Sequence, residues 1–122
     1  MRTTGILWEN AASQHLQQSG LALLERNFTC RFGEIDLVLL DRRARGGECV
    51  VFAEVRYRRS DVRGGGLASV GAGKRARLLR AAALYLQAHP EHGDRACRFD
   101  VVACSGTPAH PRFDWIQSAF EA

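Results

Sequence analysis

Glu34, Asp36, Glu54 and Arg56 are the residues whose types and spacing could do chemistry. The first two stand in Gly33-Glu34-Ile35-Asp36-Leu37-Val38-Leu39-Leu40, the last two in Val50-Val51-Phe52-Ala53-Glu54-Val55-Arg56. Apolar and β-branched runs on either side of a Gly-containing polar stretch, Asp41 to Gly47, predict a β-hairpin. A symmetric hairpin centred on Arg45 sets Asp36 opposite Glu54 and Glu34 opposite Arg56, with even-numbered side chains sharing one face. Two carboxylates and a guanidinium then converge on one patch of two otherwise apolar strands. Like charges at the end of a buried hairpin repel each other and resist desolvation. A divalent cation relieves both costs. Two acids with water-accessible oxygens suit Mg²⁺, which keeps several waters and takes one or two protein carboxylates beside a substrate phosphate. Spacing alone equally allows a structural role, with Glu34 and Asp36 solvating a strand end and Glu54 and Arg56 in a cross-strand ion pair. A bulge in the turn would slip the register by one residue and carry Glu54 to the other face.

The rest of the chain must supply the frame. Its 122 residues suit one domain, residues 1–122, and 46% hydrophobic with 25% charged residues is a globular balance. No apolar run reaches a bilayer-spanning length, so no membrane partner is expected. Met1 to Glu9 lacks the apolar centre and small-residue cleavage site of a signal peptide, which makes the cytoplasm the expected address. Cys30, Cys49, Cys97 and Cys104 show no Cys-x-x-Cys spacing and read as small hydrophobes. His89 and His92 lie in a Pro-containing loop without further ligands and read as surface residues. The 17 Lys and Arg against 13 Asp and Glu leave a charge of +4, a mild bias toward polyanions. Basic residues gather in Arg56-Tyr57-Arg58-Arg59 with Arg63, and in Lys74-Arg75-Ala76-Arg77 with Arg80.

Periodicity predicts a first helix from about Thr4 to Ser19, with Leu7, Trp8, Ala11, Ala12, His15 and Leu16 on one side and Gly20 at its end. Glu9 lies on that helix. Leu21 to Asn27 and Phe28 to Phe32 predict short stretches, or an edge strand, entering the hairpin. Ser60 to Gly66 is too glycine-rich for regular structure. A second helix follows from about Ser69 to His89, its apolar side made by Val70, Leu78, Leu79, Ala82, Ala83, Tyr85 and Leu86. Lys74, Arg77 and Arg80 recur at threes near its start, as a solvated stripe or a phosphate-binding edge. Cys97 to Ala103 predicts a strand bounded by Ser105-Gly106-Thr107-Pro108, and Phe113 to Phe120 a last strand or helical turn. The order predicts an α/β domain with a mixed sheet, an antiparallel hairpin at its centre and flanking helices.

Asp36, followed after seventeen residues by Glu54-Val55-Arg56, resembles the acid-then-E-x-K signature of the PD-(D/E)xK nuclease superfamily, whose fold is restriction-endonuclease-like. The whole chain also resembles the uncharacterised bacterial YraN-like family. That likeness rests on Trp8-Glu9, Gly33 to Leu37, Val51 to Ser60, Lys74, Arg98-Phe99-Asp100-Val101-Val102, Trp115-Ile116 and Ala119-Phe120. The resemblance implies a role in nucleic-acid processing, with Asp36, Glu54 and the Val55 carbonyl as ligands of Mg²⁺ or Mn²⁺. It implies a catalytic set of Asp36, Glu54, Arg56 and Glu9, the last resembling a helix-borne acid of some junction-resolving nucleases. A helix-surface role for Glu9 and a strand-end or salt-bridge role for Glu34 stay open. Arg56 stands where the superfamily usually has lysine; a guanidinium stays charged and offers phosphate a planar fork, but is a poor general base.

The function expected is a metal-dependent endonuclease acting on DNA, including branched or unusual structures. Arg56, Arg58, Lys74 and Arg77 are the expected phosphate contacts, giving salt-dependent affinity with little sequence readout. Two alternatives are a non-catalytic nucleic-acid-binding module on the same fold and a protein-interaction domain with a structural acidic cluster. Homodimerisation, common among related nucleases, is a further expectation.

Overall fold

The structure, a computed structural model, describes residues 3–57 and 70–120. Arg58 and the glycine-rich Ser60 to Gly66 lie outside the described residues. The elements are α1 (Thr3–Gln18), β1 (Ala22–Cys30), β2 (Gly33–Asp41), β3 (Cys49–Tyr57), α2 (Ala72–Ala88), a 3₁₀ turn (Pro90–His92), β4 (Ala96–Thr107) and β5 (His110–Phe120). The strands form one sheet in the order β1-β2-β3-β4-β5. Only β3 and β4 run parallel, Cys49 beside Ala96 through Tyr57 beside Cys104; the other neighbours are antiparallel. A parallel pair needs a crossover connection, and α2 lies within it. This is the mixed sheet with flanking helices that the order of elements predicts.

Both faces of the sheet are covered, which is why its central strands are apolar throughout rather than alternating. Trp8, Ala12 and Leu16, spaced by four, put α1 on a core with Leu37, Leu39, Val51, Ala53, Val102 and Cys104. Leu78, Ala81, Ala82 and Tyr85 put α2 on the opposite core with Val38, Leu40, Val50, Phe52, Phe99 and Val101. The helix-forming stripe is narrower than expected. Leu7 and Ala83, expected on the apolar sides, are exposed, because they lie beyond the strip of each helix that meets the sheet. Helix α1 ends as Gly20 predicts: Gly20 at φ +106 donates its N–H to the Gln17 carbonyl, and Leu21 N–H to that of Leu16, at 3.0 and 3.1 Å. That pair of bonds is the Schellman closure, and the buried Leu21 side chain joins Leu16 in the same core.

Toward the C-terminus the strands outrun the prediction. β1 is the edge strand that the sequence allowed, with a register shift between Leu23 and Glu25. β4 continues through Ser105 and Gly106 to Thr107, and β5 is a full strand from His110. Gly106 makes the extension possible: its φ is +83, and a Cβ there would lie 2.6 Å from the His110 carbonyl oxygen. Among the described residues no helix is long and apolar enough to cross a membrane. All four cysteines are free, and burial pushes the Cys104 thiol up to about 12.

The end of the sheet carrying the hairpin turn is braced by a buried ion network. Asp100, 1% exposed, accepts Arg98 Nε at 3.0 Å, Trp115 Nε1 at 2.9 Å and Ser118 N at 3.0 Å. Arg98 Nη1 reaches across β3 to Asp41 Oδ2 at 3.0 Å, binding the last residue of β2 to β4. Asp100→Ala takes the acceptor from Arg98 Nε, the Trp115 indole N–H and the Ser118 backbone N–H together, leaving Arg98 only Asp41, and is expected to cost about 3 kcal/mol. Urea denaturation of the purified variant checks this; a loss below about 1 kcal/mol would show that the network carries no stability.

Candidate metal centre

The hairpin pairs in the register that symmetry about Arg45 predicts, Leu37 with Ala53, Val38 with Phe52, and on to Asp41 with Cys49. Beyond Leu37 the regular ladder stops, and Asp36 departs from it. Its carboxylate, rather than its backbone, takes the N–H of Val55, at 2.8 Å from Oδ2. The alternation of faces breaks at the same place. Ile35 packs in the α2 core while Leu37, two residues on, packs in the α1 core. Even-numbered residues therefore share a face only from Val38 onward, which corrects the expectation that Glu34, Asp36, Glu54 and Arg56 all do.

The irregularity is shared by the neighbouring strand. Arg26 pairs with Leu37 and Phe28 with Ile35, so Asn27 stands across from Asp36. Its φ is +54, left-handed backbone that asparagine tolerates better than most residues. With its amide nitrogen turned to the acids, Asn27 donates to Glu34 Oε2 at 3.0 Å and Glu9 Oε1 at 3.2 Å. Arg26 Nη2 lies 3.6 Å from the same Glu9 oxygen. Thus Glu9, on α1, is drawn to β1 beside the acidic group. Asn27 is absent from the residues that spacing singles out, although one signal exists: asparagine is depleted in strand interiors.

Around Asp36 the electrostatics are lopsided. Burial, and then Glu54, Glu9 and Glu34, push its pKa from 3.8 to about 7, against the opposing effect of the Val55 N–H. Glu54, 9% exposed, is instead closely matched by cations, with Lys74 Nζ 3.1 Å and Arg56 Nε 3.8 Å from Oε2. Lys74 comes from the first turn of α2, and even-numbered Glu54 faces that helix. Lys74 and Arg77 also line a small cavity of about 70 Å³ with Phe32, Gly33, Glu34, Leu78 and Ala81. The structure thus brings Glu54, Arg56 and Lys74 together, sets Glu9 and Glu34 around Asp36, and puts Arg77 on the exposed rim.

The residues expected to hold a hard cation offer oxygen donors. One of their carboxylates is buried in a surplus of negative charge that an ion would neutralise. Among the described residues no three His, Cys, Asp or Glu side chains form a group that could hold an ion. Two carboxylates with a backbone carbonyl, completed by water and phosphate, is a pattern Mg²⁺ accepts.

Asp36 binds its proton more tightly in the folded protein than in the unfolded chain. Its contribution to stability is therefore full below pH 3.8 and lost as pH rises through about 7. Between pH 5 and pH 8, without divalent ions, this group is expected to cost the wild type about 2–3 kcal/mol. Asp36→Asn keeps an acceptor for the Val55 N–H and should lack that part of the slope. Urea midpoints of both proteins at the two pH values test this, and parallel slopes would refute it.

Comparison with known proteins gives the chain relatives along nearly its whole length. It is 49% identical over 121 residues to the "UPF0102 protein" of Stutzerimonas stutzeri (strain A1501), covering 99% of this chain and 97% of that one. With the "UPF0102 protein" of Ectopseudomonas mendocina (strain ymp) it shares 51% identity over 114 residues, 93% of this chain and 91% of the relative. With that of Alcanivorax borkumensis (strain ATCC 700651 / DSM 11573 / NCIMB 13689 / SK2) it shares 46% over 120 residues, 98% and 92% of the two chains. The model of UPF0102, described as an uncharacterised protein family, matches residues 8–104, which run from within α1 through β1, the hairpin and α2 into β4. The chain belongs to the uncharacterised protein family UPF0102.

Proposed function

We propose that this protein is a Mg²⁺- or Mn²⁺-dependent endonuclease that hydrolyses phosphodiester bonds in DNA. The observation that carries the reading is the site's division of labour: buried, under-compensated Asp36 beside Glu54, with Lys74 and Arg56 on one Glu54 oxygen. The likeness to the PD-(D/E)xK superfamily supports the same assignment.

Asp36, Glu54 and the Val55 carbonyl would hold the ion, which when bound supplies a more acidic water and offsets charge on the scissile phosphate. Lys74 answers the difficulty posed by Arg56. An ammonium can orient an attacking water and pass a proton, which a guanidinium does poorly. Lys74 stands at the carboxylate where the E-x-K lysine is missing. Arg56 then presents its fork to the phosphate oxygens and stabilises the charge that grows as water adds to phosphorus and the ester oxygen leaves. Arg77 extends the phosphate-binding rim, Arg58 is a further phosphate contact proposed from the sequence alone, and Glu9, tethered by Arg26 and Asn27, completes the acidic group.

Arg56 itself favours a second reading, a nucleic-acid-binding module that keeps the site but does not cleave. Incubation with linear, flapped and four-way DNA, in Mg²⁺, Mn²⁺ or EDTA, separates the two. Metal-dependent products are expected, with Asp36→Ala and Glu54→Ala each about 100-fold slower or worse. Lys74→Ala should lower turnover more than it lowers DNA affinity measured in EDTA. Cleavage that survives Glu54→Ala unchanged would refute the site, and salt-sensitive binding without product would establish the module.

A further inference from the structure

Beside the acidic group stands an aromatic pair that the hydrolytic site does not use. Trp8 immediately precedes Glu9 on α1 and is buried to 3%. Tyr57 immediately follows Arg56 at the end of β3. Their rings stack at a centroid separation of 4.8 Å with an interplanar angle of 27°. Although one side of Tyr57 rests on the indole, the residue is 44% exposed. The other exposed large apolar side chains among the described residues are Ile6 and Leu7, so all three lie on or against the first turns of α1. Exposed apolar surface is thus gathered at the end of the molecule that carries the acids.

A solvated ring held from behind by a buried indole has little conformational freedom left to lose when a second flat group stacks on it. The ligand that suits it is planar, offers a π-face, and is joined to negative charge that reaches round the end of β3, because Arg56 and Lys74 meet Glu54 on the α2 face of that strand whereas Tyr57 lies on the α1 face. Tyr57 stands three residues past Glu54, about 10 Å along the strand. A nucleobase joined to a phosphate meets all these demands. Within a duplex the faces of a base are covered by its neighbours, so only an unpaired base can offer one to a protein ring.

We propose that Tyr57, backed by Trp8, is a stacking platform for an unpaired nucleobase, so that the preferred DNA carries a single-stranded segment beside the bound phosphate. This inference rests on the nuclease reading for the phosphate's position, but its test does not need cleavage. Fluorescence anisotropy in EDTA would compare three labelled probes: a duplex with a single-stranded flap, the same flap with abasic sites, and a blunt duplex. The flap should bind the wild type more tightly than the blunt duplex does. Stacking is worth about 1–3 kcal/mol per base, so abasic sites or Tyr57→Ala should each weaken flap binding about tenfold or more. Blunt-duplex affinity in Tyr57→Ala should stay within about twofold, being set by phosphate contacts. Tyr57→Phe should keep wild-type flap affinity. Should Tyr57→Ala fail to fold, the abasic arm decides with the wild-type protein. Equal weakening of flap and blunt binding by Tyr57→Ala would overturn the proposal, as would indifference of the wild type to abasic sites. Metal-dependent cleavage without flap preference would overturn the platform alone, and flap preference without cleavage would overturn the catalysis alone.

Discussion

The hydrogen bond from the Val55 amide to the Asp36 carboxylate is the joint on which the acidic site turns. In a regular antiparallel pair that donor and its neighbours would belong to the ladder, and Asp36 would be one more alternating position. Here a side chain closes the gap where regular pairing ends. The carboxylate is thereby held to β3 at the residue after Glu54, whose charge acts on it. The arrangement depends on register, since a slip of one residue would exchange the faces of every side chain in the hairpin. Register is secured at the far end of the sheet, where Arg98 ties Asp41 to β4 and Asp100 ties Arg98 to Trp115 and Ser118. The two ends of β2 are thus linked: one is pinned so that the other can break its pattern in the right place.

Charge is distributed unequally between the two central acids, and the inequality has a structural cause. Glu54 points toward α2, whose first turn supplies Lys74, and Arg56 follows on its own strand. Asp36 stands at the break in alternation, within reach of Glu9 from α1 and Glu34 from its own strand, with a backbone amide as its close donor. Neighbours of like charge and a buried position cannot both be relieved by one N–H. An environment of this kind favours the neutral, protonated carboxyl over the carboxylate.

Much of this frame is legible in the sequence. Apolar runs around a polar turn suffice for the hairpin, and symmetry about Arg45 gives the register that the structure has, although strands apolar on both faces do not themselves forbid a slip. The α1 stop is legible because Gly20 is the residue a left-handed closure requires. What escapes period-two reasoning is any place where the backbone leaves period two. The face change at Asp36 and the left-handed Asn27 across from it are such places, and neither alters composition. Lys74 reads as part of a solvated stripe or a phosphate-binding edge because a helix start gives no hint of the strand carboxylate it will meet. The extent of β4 escapes for a different reason: Gly106 looks like a turn residue, whereas its conformation lets the strand run on to the real turn at Pro108 and Ala109.

The left-handed Asn27 has a consequence at the margin of the sheet. β1 and β5 are its two open edges, and an open edge of regular strand is a template on which another chain can add itself. β1 is interrupted by a register shift between Leu23 and Glu25 and again by Asn27 at φ +54. β5 holds Ser118 at φ +52, beside the shift in β4 between Phe99 and Val101. Each margin therefore presents its unpaired amides and carbonyls out of line, so the kink that positions an acid also denies a foreign strand a straight edge on which to grow.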